Sequence, residues 1–205
     1  MSYNSLLSFG DLIPLKLKCD VKKLFDETEE FVYLKYNPRK DIERYGLSIT
    51  SLDGSLNGID LDSIKEYNKE NNTEYDELSF NKFTSVYHAS SEIQKIVEPF
   101  KNHIGRSHIL SLAEGGYFPP HRDLPVYVEQ QNSLRILVPL KGCNPPDMYF
   151  MYEDKPLHFE HGRAYFLNTN KSHNLFSFKG SEMVVLNIKT NEEVYKIIGD
   201  LFQAR

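Results

Sequence analysis

The segment RSHILSLAEGGYFPPHRD, residues 106–123, predicts two short β-strands joined by a tight turn. SHILSLA is a short, mostly apolar run, and the glycine pair Gly115-Gly116 separates it from a second run that ends at His121 and Asp123. Short runs bounded by glycine and proline are typical of strands. The segment therefore indicates a β structure that carries a histidine and an aspartate at its end.

The same pattern of short apolar runs separated by turn residues continues through the C-terminal half of the chain. Turn segments such as GG, KGCNPPD, EDKP, HG and KG separate eight strand candidates: SHILSLA, FPPHRD, SLRILVPL, MYFMY, LHFE, RAYFLN, NLFSF and EMVVLNI. Many short strands punctuated by turns favour a β-sandwich or barrel over a parallel α/β sheet. We therefore expect a mainly β fold with flanking helices.

Residues 1–105 predict a mixed α and β portion. Apolar residues have helical spacing over 21–31, and the run at 45–51 is typical of a strand. Residues 53–81 are rich in Asn, Asp, Glu, Gly and Ser, so we expect a long surface excursion with one short helix. A further helix, capped by serine at its start, is predicted over 90–97.

The chain is long enough for one domain with a substantial core, because 40% of its 205 residues are hydrophobic. We expect a single domain over 1–205, in which the 1–105 portion packs on a β core at 106–190. Helical spacing of apolar residues predicts a C-terminal helix within the final segment, 191–205.

Charge and cysteine content argue against several classes of protein. The formal net charge of −5 disfavours a nucleic-acid binder. Cys19 and Cys143 form no CxxC pattern, so we expect neither a disulfide framework nor a thiolate zinc site. The apolar run near the N-terminus is too short and too interrupted for a signal peptide or a membrane span. We expect a soluble, cytoplasmic protein that binds a small molecule or peptide and neither nucleic acid nor membrane; its oligomeric state is not predictable.

His121 and Asp123 form a candidate metal-binding pair. Residues i and i+2 of a strand project from one face about 6 to 7 Å apart, so both side chains can reach one ion. A third donor has to come from His158, His161 or His173, and His173 fits best because it lies between two predicted strands. Two histidines and a carboxylate leave positions open on the metal, as in non-haem Fe(II) oxygenases. An incidental histidine and aspartate pair is the alternative.

Four segments together resemble the aspartyl/asparaginyl β-hydroxylase-like branch of the Fe(II)- and 2-oxoglutarate-dependent dioxygenases: RSHILSLAEGGYFPPHRD, SLRILVPLKG, HGRAYFLNTNKSHNLFSF and MVVLNI. The resemblance covers roughly residues 106–190 and implies a double-stranded β-helix, the cupin-like jelly roll. It also implies Fe(II) held by His121, Asp123 and His173, with O2 and 2-oxoglutarate as co-substrates.

The resemblance further implies that Arg135 contacts the co-substrate, for which a guanidinium offers a fixed positive fork. Where the family usually places a second arginine, ten residues after the distal histidine, this chain has Met183. Lys189 shares a strand face with Met183 if side chains alternate, so it is a candidate anchor for the far carboxylate. Lys179 and Arg122 are further candidates. Tyr117 is either a hydrogen-bond donor to a bound acid or a packing residue.

A basic cluster of Arg39, Lys40 and Arg44 is open to two interpretations, a guide for an acidic substrate or a solvated face. For the whole chain the leading hypothesis is an oxygenase that hydroxylates an amino-acid side chain or small molecule, with no catalytic side chain beyond the metal ligands. A cupin-like metal protein or isomerase that does not use 2-oxoglutarate is the second hypothesis. A jelly-roll scaffold without a metal is the third.

Overall fold

The computed structural model describes residues 2–123 and 132–202. The helices of these residues are α1 (Tyr3–Leu7), α2 (Val21–Thr28), α3 (Ile64–Asn71), α4 (Ser85–Ala89), α5 (Ser91–Val97) and α6 (Glu192–Leu201). The strands are β1 (Leu12–Lys18), β2 (Leu34–Lys35), β3 (Arg44–Ser48), β4 (Thr50–Ser51), β5 (Lys82–Phe83), β6 (His108–Leu112), β7 (Tyr117–His121), β8 (Ser133–Lys141), β9 (Met148–Tyr152), β10 (Lys155–Pro156), β11 (Arg163–Leu167), β12 (His173–Ser177) and β13 (Ser181–Lys189). The end of the predicted C-terminal segment, 203–205, lies outside the described residues.

Two antiparallel sheets face each other and form a double-stranded β-helix. The larger sheet has the strand order β1-β11-β8-β13-β6-β3-β2, and the smaller has the order β10-β9-β12-β7. From β6 to β13 the chain passes from one sheet to the other at each connection, except at the β9–β10 hairpin, which stays in the smaller sheet. This confirms the predicted fold class, a mainly β jelly roll with flanking helices.

The larger sheet is buried on both faces, which explains the continuous apolar runs of β8 and β13. Ile136 and Val138 of β8 belong to the core that includes helices α5 and α6, whereas Leu137 belongs to the core between the sheets. The same alternation continues in β13. Met183 belongs to the core between the sheets, whereas Val184 belongs to the core on the helical side of the larger sheet. Because the side-chain period of a strand is two, this register fixes which residues face the space between the sheets.

The N-terminal portion widens the larger sheet and covers its outer face. β1 pairs with β11 at one edge, and β3 pairs with β6 toward the other. Side-chain caps begin the helices: Asp20 accepts from the Lys23 amide at α2, and Ser90 accepts from the Ile93 amide at α5. None of the helices within the described residues is long and apolar enough to span a membrane.

Two local predictions were wrong. LHFE, residues 157–160, forms no strand, because the Asn144 side chain satisfies the local backbone instead, accepting from the Phe159 amide at 2.7 Å and donating to its carbonyl at 3.0 Å. The excursion over 53–81 contains the expected short helix, α3, but it is not only a surface feature. Asp60 and Phe80 are buried, so this segment is part of the packed structure.

Candidate metal centre

Three predicted ligands meet at the end of the smaller sheet. His121 ends β7 and His173 begins β12, where the two residues are register partners with ring centroids 4.3 Å apart. Asp123 Oδ1 lies 3.5 Å from His121 Nε2 and 3.8 Å from His173 Nε2. One donor atom from each residue can be chosen so that all three lie within 4.8 Å of one another. This spacing suits ligands around a single ion.

The orientation of both imidazoles favours metal binding. Nδ1 of His121 donates to the Pro119 carbonyl at 2.7 Å, and Nδ1 of His173 donates to the Lys171 carbonyl at 3.0 Å. With the proton on Nδ1, Nε2 of each ring carries the lone pair that a metal needs, and the carbonyl fixes the tautomer. Burial lowers the pKa of His173 below its ordinary value, which keeps that ring neutral and able to coordinate. The donor set therefore fits a divalent transition metal.

A cavity of about 120 Å³ between the two sheets includes the three ligands in its lining. This is well below the several hundred Å³ typical of sites for drug-sized ligands, so a small molecule is the better fit. Its apolar lining consists of Leu110, Leu137, Phe150, Leu167, Leu175, Met183 and Val185 together with the ring of Phe118. The other lining residues that the structure describes are polar or charged.

Arg135 connects the candidate ligands to a partly buried ion-pair network. Its Nε lies 3.2 Å from Asp123 Oδ2, and its Nη2 lies 3.3 Å from Glu77 Oε2. Glu77 also accepts from Arg106 Nη1 at 3.2 Å and from Asn187 Nδ2 at 2.6 Å. Burial alone would raise the pKa of Glu77, but Arg135 and Arg106 hold it below its ordinary value. The Glu77 carboxylate is therefore ionised and bridges two guanidinium groups.

Among the residues that the structure describes, the formal charges of the cavity lining balance without a metal. Arg106 and Arg135 contribute two positive charges, and Glu77 and Asp123 contribute two negative charges. His108 adds none at neutral pH, because burial, reinforced by Arg106, lowers its pKa to about 3. A bound dication would leave an excess of two positive charges, which a dicarboxylate could neutralise.

The structure brings some of the other predicted site residues to the cavity and not others. Arg135 and Met183 line it, as does Val185, two residues after Met183 on β13. Lys189, in contrast, is exposed at the end of β13 and is not among the lining residues. Tyr117 is 39% exposed and lines a separate groove beside the cavity.

Two further candidate ligands and the basic cluster also have definite positions. His158 and His161 are exposed and lie outside the triad. Arg39 forms ion pairs with Asp62 and Glu70, whereas Arg44 is buried, so the cluster is not one solvated face.

Sequence reasoning missed Glu77 and Arg106. Arg106 directly precedes the first predicted strand of the segment 106–123, and this position could have indicated a site residue. No feature of the sequence distinguishes Glu77, because it is one of many acidic residues in the polar excursion. It reaches the cavity only through the tertiary fold. Arg106 holds that excursion in place by donating to the carbonyls of Asp60 and Asp62.

Comparison with known proteins adds likenesses of fold. No family model matches the chain, and no curated protein matches it significantly. An oxidoreductase of the 2OG-Fe(II) oxygenase family from Burkholderia pseudomallei is similar at 9% identity and TM-score 0.49, over 91% of this chain and 88% of that one. A Pseudomonas putida prolyl-4-hydroxylase is similar at 7% identity and TM-score 0.48, over 91% and 96%. A predicted oxalate decarboxylase from Thermotoga maritima is similar at 17% identity and TM-score 0.33, over 46% and 74%. A function for this chain has to rest on the geometry of its own site.

Proposed function

We propose that this chain is a non-haem Fe(II)- and 2-oxoglutarate-dependent oxygenase that hydroxylates an amino-acid side chain or small molecule. The observation that carries the proposal is the convergence of His121, Asp123 and His173 at the wall of a small cavity that also contains a guanidinium. Two histidines and a carboxylate bind iron while leaving positions open for co-substrate and oxygen. The resemblance of the sequence to the aspartyl/asparaginyl β-hydroxylase-like branch supports the same assignment.

Each part of the cavity has a role in this proposal. His121, Asp123 and His173 would hold Fe(II), which supplies the oxygen-activating redox chemistry that amino-acid side chains lack. Arg135 would bind a carboxylate of 2-oxoglutarate through its planar fork of donors. The apolar wall, which includes Leu137 and Phe150, would exclude water from the reacting groups.

In this proposal Arg135 would also supply the positive charge that Met183 lacks. Met183 packs in the apolar wall of the cavity and offers no charge, so in this proposal the anchor for the co-substrate would come from another residue. Arg135 lies on β8, the neighbour of β13, and points into the cavity beside Asp123. The two excess charges that a dication would introduce match the two carboxylates of 2-oxoglutarate.

The direct test is co-substrate turnover. Metal-free protein is loaded anaerobically with Fe(II) and 2-oxoglutarate, oxygen is admitted, and succinate is measured without added substrate. We expect succinate from the parent protein and none above background from His173→Ala. His161→Ala, which changes an exposed histidine outside the triad, is the matched control and should behave as the parent. Absence of succinate from the parent, together with no metal-dependent absorption band on adding 2-oxoglutarate, contradicts the proposal.

The second candidate is a cupin-like metal protein or isomerase that does not use 2-oxoglutarate. It is favoured by one observation, that the Glu77 carboxylate already occupies one side of the Arg135 guanidinium. If Glu77 stays paired with Arg135, fewer N–H donors of the guanidinium remain for an external carboxylate. Tightly held zinc or nickel in protein purified from iron-replete cells, without succinate formation, would favour this reading.

A further inference from the structure

The loop between β11 and β12, residues 168–172, holds two of the three candidate metal ligands through its backbone. The Thr169 carbonyl accepts from the Asp123 amide at 3.0 Å, and the Lys171 carbonyl accepts from Nδ1 of His173 at 3.0 Å. Asp123 lies beyond the end of β7, so this bond and not the strand pairing holds its backbone. The position of the loop therefore determines where Asp123 and His173 present their donor atoms.

Asp11, which directly precedes β1, holds this loop at two points. Its carbonyl accepts from the Asn168 amide at 2.8 Å, and its Oδ1 accepts from Nδ2 of Asn168 at 2.8 Å. Its Oδ2 accepts from Nζ of Lys171 at 2.7 Å, across 160 positions of the chain. Asp11 is thus bonded to the first residue of the loop and to the residue whose carbonyl orients His173.

Asn168 fixes the start of the loop. It is 3% exposed, and its carbonyl accepts from the Tyr152 hydroxyl at 2.7 Å. Its Oδ1 accepts from the Tyr3 hydroxyl at 2.9 Å and from the Asn170 amide at 3.2 Å, while its Nδ2 donates to Asp11. Without the Asp11 carboxylate this Nδ2 group would lose its acceptor, and an unpaired buried donor is costly. We therefore expect the loop to shift when Asp11 is replaced.

The ion pair of Asp11 with Lys171 matters for geometry more than for stability. Burial alone would raise the pKa of Asp11, but the hydrogen bonds from Lys171 and Asn168 hold it below its ordinary value, so the carboxylate is ionised at neutral pH. Both side chains are partly exposed, at 31% for Asp11 and 41% for Lys171, and such pairs contribute little to the stability of a fold. Their main consequence is the position of the Lys171 backbone.

We propose that Asp11 is a positioning residue of the metal centre, which holds the loop over 168–172 and thereby orients two metal ligands and sets the metal affinity. The proposal rests on the metal centre of the proposed function but not on its reaction. Removal of a group that orients a metal ligand from behind lowers metal affinity about tenfold to a hundredfold. Asp11 is not among the described residues that line the cavity, so it is not a catalytic residue.

Metal titration tests the proposal without turnover. Each metal-free protein is titrated with Co(II) below its melting temperature, and the visible absorption of bound Co(II) reports the geometry of its ligands. We expect Asp11→Ala to bind Co(II) about tenfold more weakly than the parent and with a changed spectrum. Asp147→Ala is the matched control, because Asp147 also pairs with a lysine, Lys179 at 2.9 Å, but lies at the other end of the smaller sheet from His173. Its affinity and spectrum should equal those of the parent.

Two milder variants separate positioning from stability. Asp11→Asn keeps an acceptor for Asn168 but no charge for Lys171, so its affinity for Co(II) should lie between those of Asp11→Ala and the parent. Lys171→Met removes the same ion pair and keeps the loop carbonyl, and its affinity should also fall. A purely structural role would lower the melting temperature and leave the affinity and spectrum of the folded protein unchanged, so each titration is paired with a thermal melt. Parent affinity and spectrum in Asp11→Ala, or in both milder variants if Asp11→Ala does not fold, overturns the proposal.

His173→Ala in the same titration distinguishes this proposal from the proposed function. Equal Co(II) affinity of His173→Ala and the parent would show that the triad holds no metal, which overturns the positioning role and the oxygenase assignment together. If the parent binds Co(II) through His173 but forms no succinate with Fe(II), the oxygenase assignment alone is contradicted. The Co(II) affinity of Asp11→Ala then still decides the role of Asp11.

Discussion

Arg135 is the residue at which the proposed metal ligands and the partly buried ion pairs of Glu77 meet. It forms an ion pair with Asp123, a proposed metal ligand, and donates a hydrogen bond to Glu77, which is also paired with Arg106. Burial alone would lower the pKa of Arg135, but the carboxylates of Glu77 and Asp123 raise it. If Asp123 binds a metal, its carboxylate interacts less strongly with the Arg135 guanidinium. In the proposed function, Arg135 would then be free to receive an external carboxylate.

Substitution of Arg135 tests this at the residue scale. We expect Arg135→Met to raise the KM for 2-oxoglutarate about tenfold or more, because a carboxylate loses a charge-assisted bidentate partner. Lys189→Met should leave that KM unchanged, because Lys189 is exposed and outside the cavity lining. Initial rates of succinate formation against 2-oxoglutarate concentration give both values. The opposite pattern would make Lys189 the anchor.

The turn between β6 and β7 has the strictest steric requirements of the elements near the site. Gly115 has φ +79°, a left-handed conformation, but a Cβ there would meet no atom within 4 Å. Gly116 is confined instead, since a Cβ would lie 2.2 Å from the Glu43 carbonyl oxygen. One glycine therefore satisfies a backbone angle and the other a close approach. Both position the start of β7, which carries His121 at its end.

Gly116→Ala should displace the start of β7 and so affect the metal centre five residues later. We expect a loss of unfolding free energy of about 1–3 kcal/mol from overpacking, together with weaker binding of Zn(II). Gly115→Asn is the comparison variant, because asparagine tolerates the left-handed region and meets no neighbour there. Denaturant titration and metal titration of both proteins measure the difference. Equal loss in the two variants would argue against the close approach of Gly116 to Glu43.

The strand predictions succeeded where burial left a local pattern in the sequence. β8 and β13 are buried on both faces, so their apolar runs were visible without knowledge of the fold. LHFE carried a similar signal but is held by the Asn144 side chain, which is distant in sequence. The ion pair of Glu77 with Arg135 spans 58 positions, and no local pattern indicates it. The site could thus be predicted as far as its candidate ligands at or just beyond the ends of strands, and not where a loop from the other half of the chain completes it.

At the scale of the whole molecule, the excursion over 53–81 connects the N-terminal portion with the cavity. Glu77 contributes the bridging carboxylate, and Asp60 lies buried beside Arg106, with burial raising its pKa to about 6. His108 lines the same cavity, and its Nδ1 is buried without a hydrogen-bond partner. The charged groups around the site therefore couple the stability of the fold to pH.

The titration of His108 determines whether one part of the stability rises or falls with pH. Its pKa is about 3 in the folded protein and has the ordinary value of 6.5 when unfolded. Between these values the unfolded chain binds a proton that the folded chain does not, so this contribution to stability is present above pH 6.5 and is lost as the pH falls. Asp60 has the opposite effect. Because its pKa is raised to about 6 in the folded protein, its contribution to the free energy of unfolding increases as the pH falls below 6. Relative to the parent, His108→Gln should therefore gain unfolding free energy on acidification, by up to about 1.4 kcal/mol per pH unit. Urea titrations of both metal-free proteins from pH 7.5 to pH 4.5 measure this difference, and parallel curves would show that His108 does not stay neutral in the folded protein.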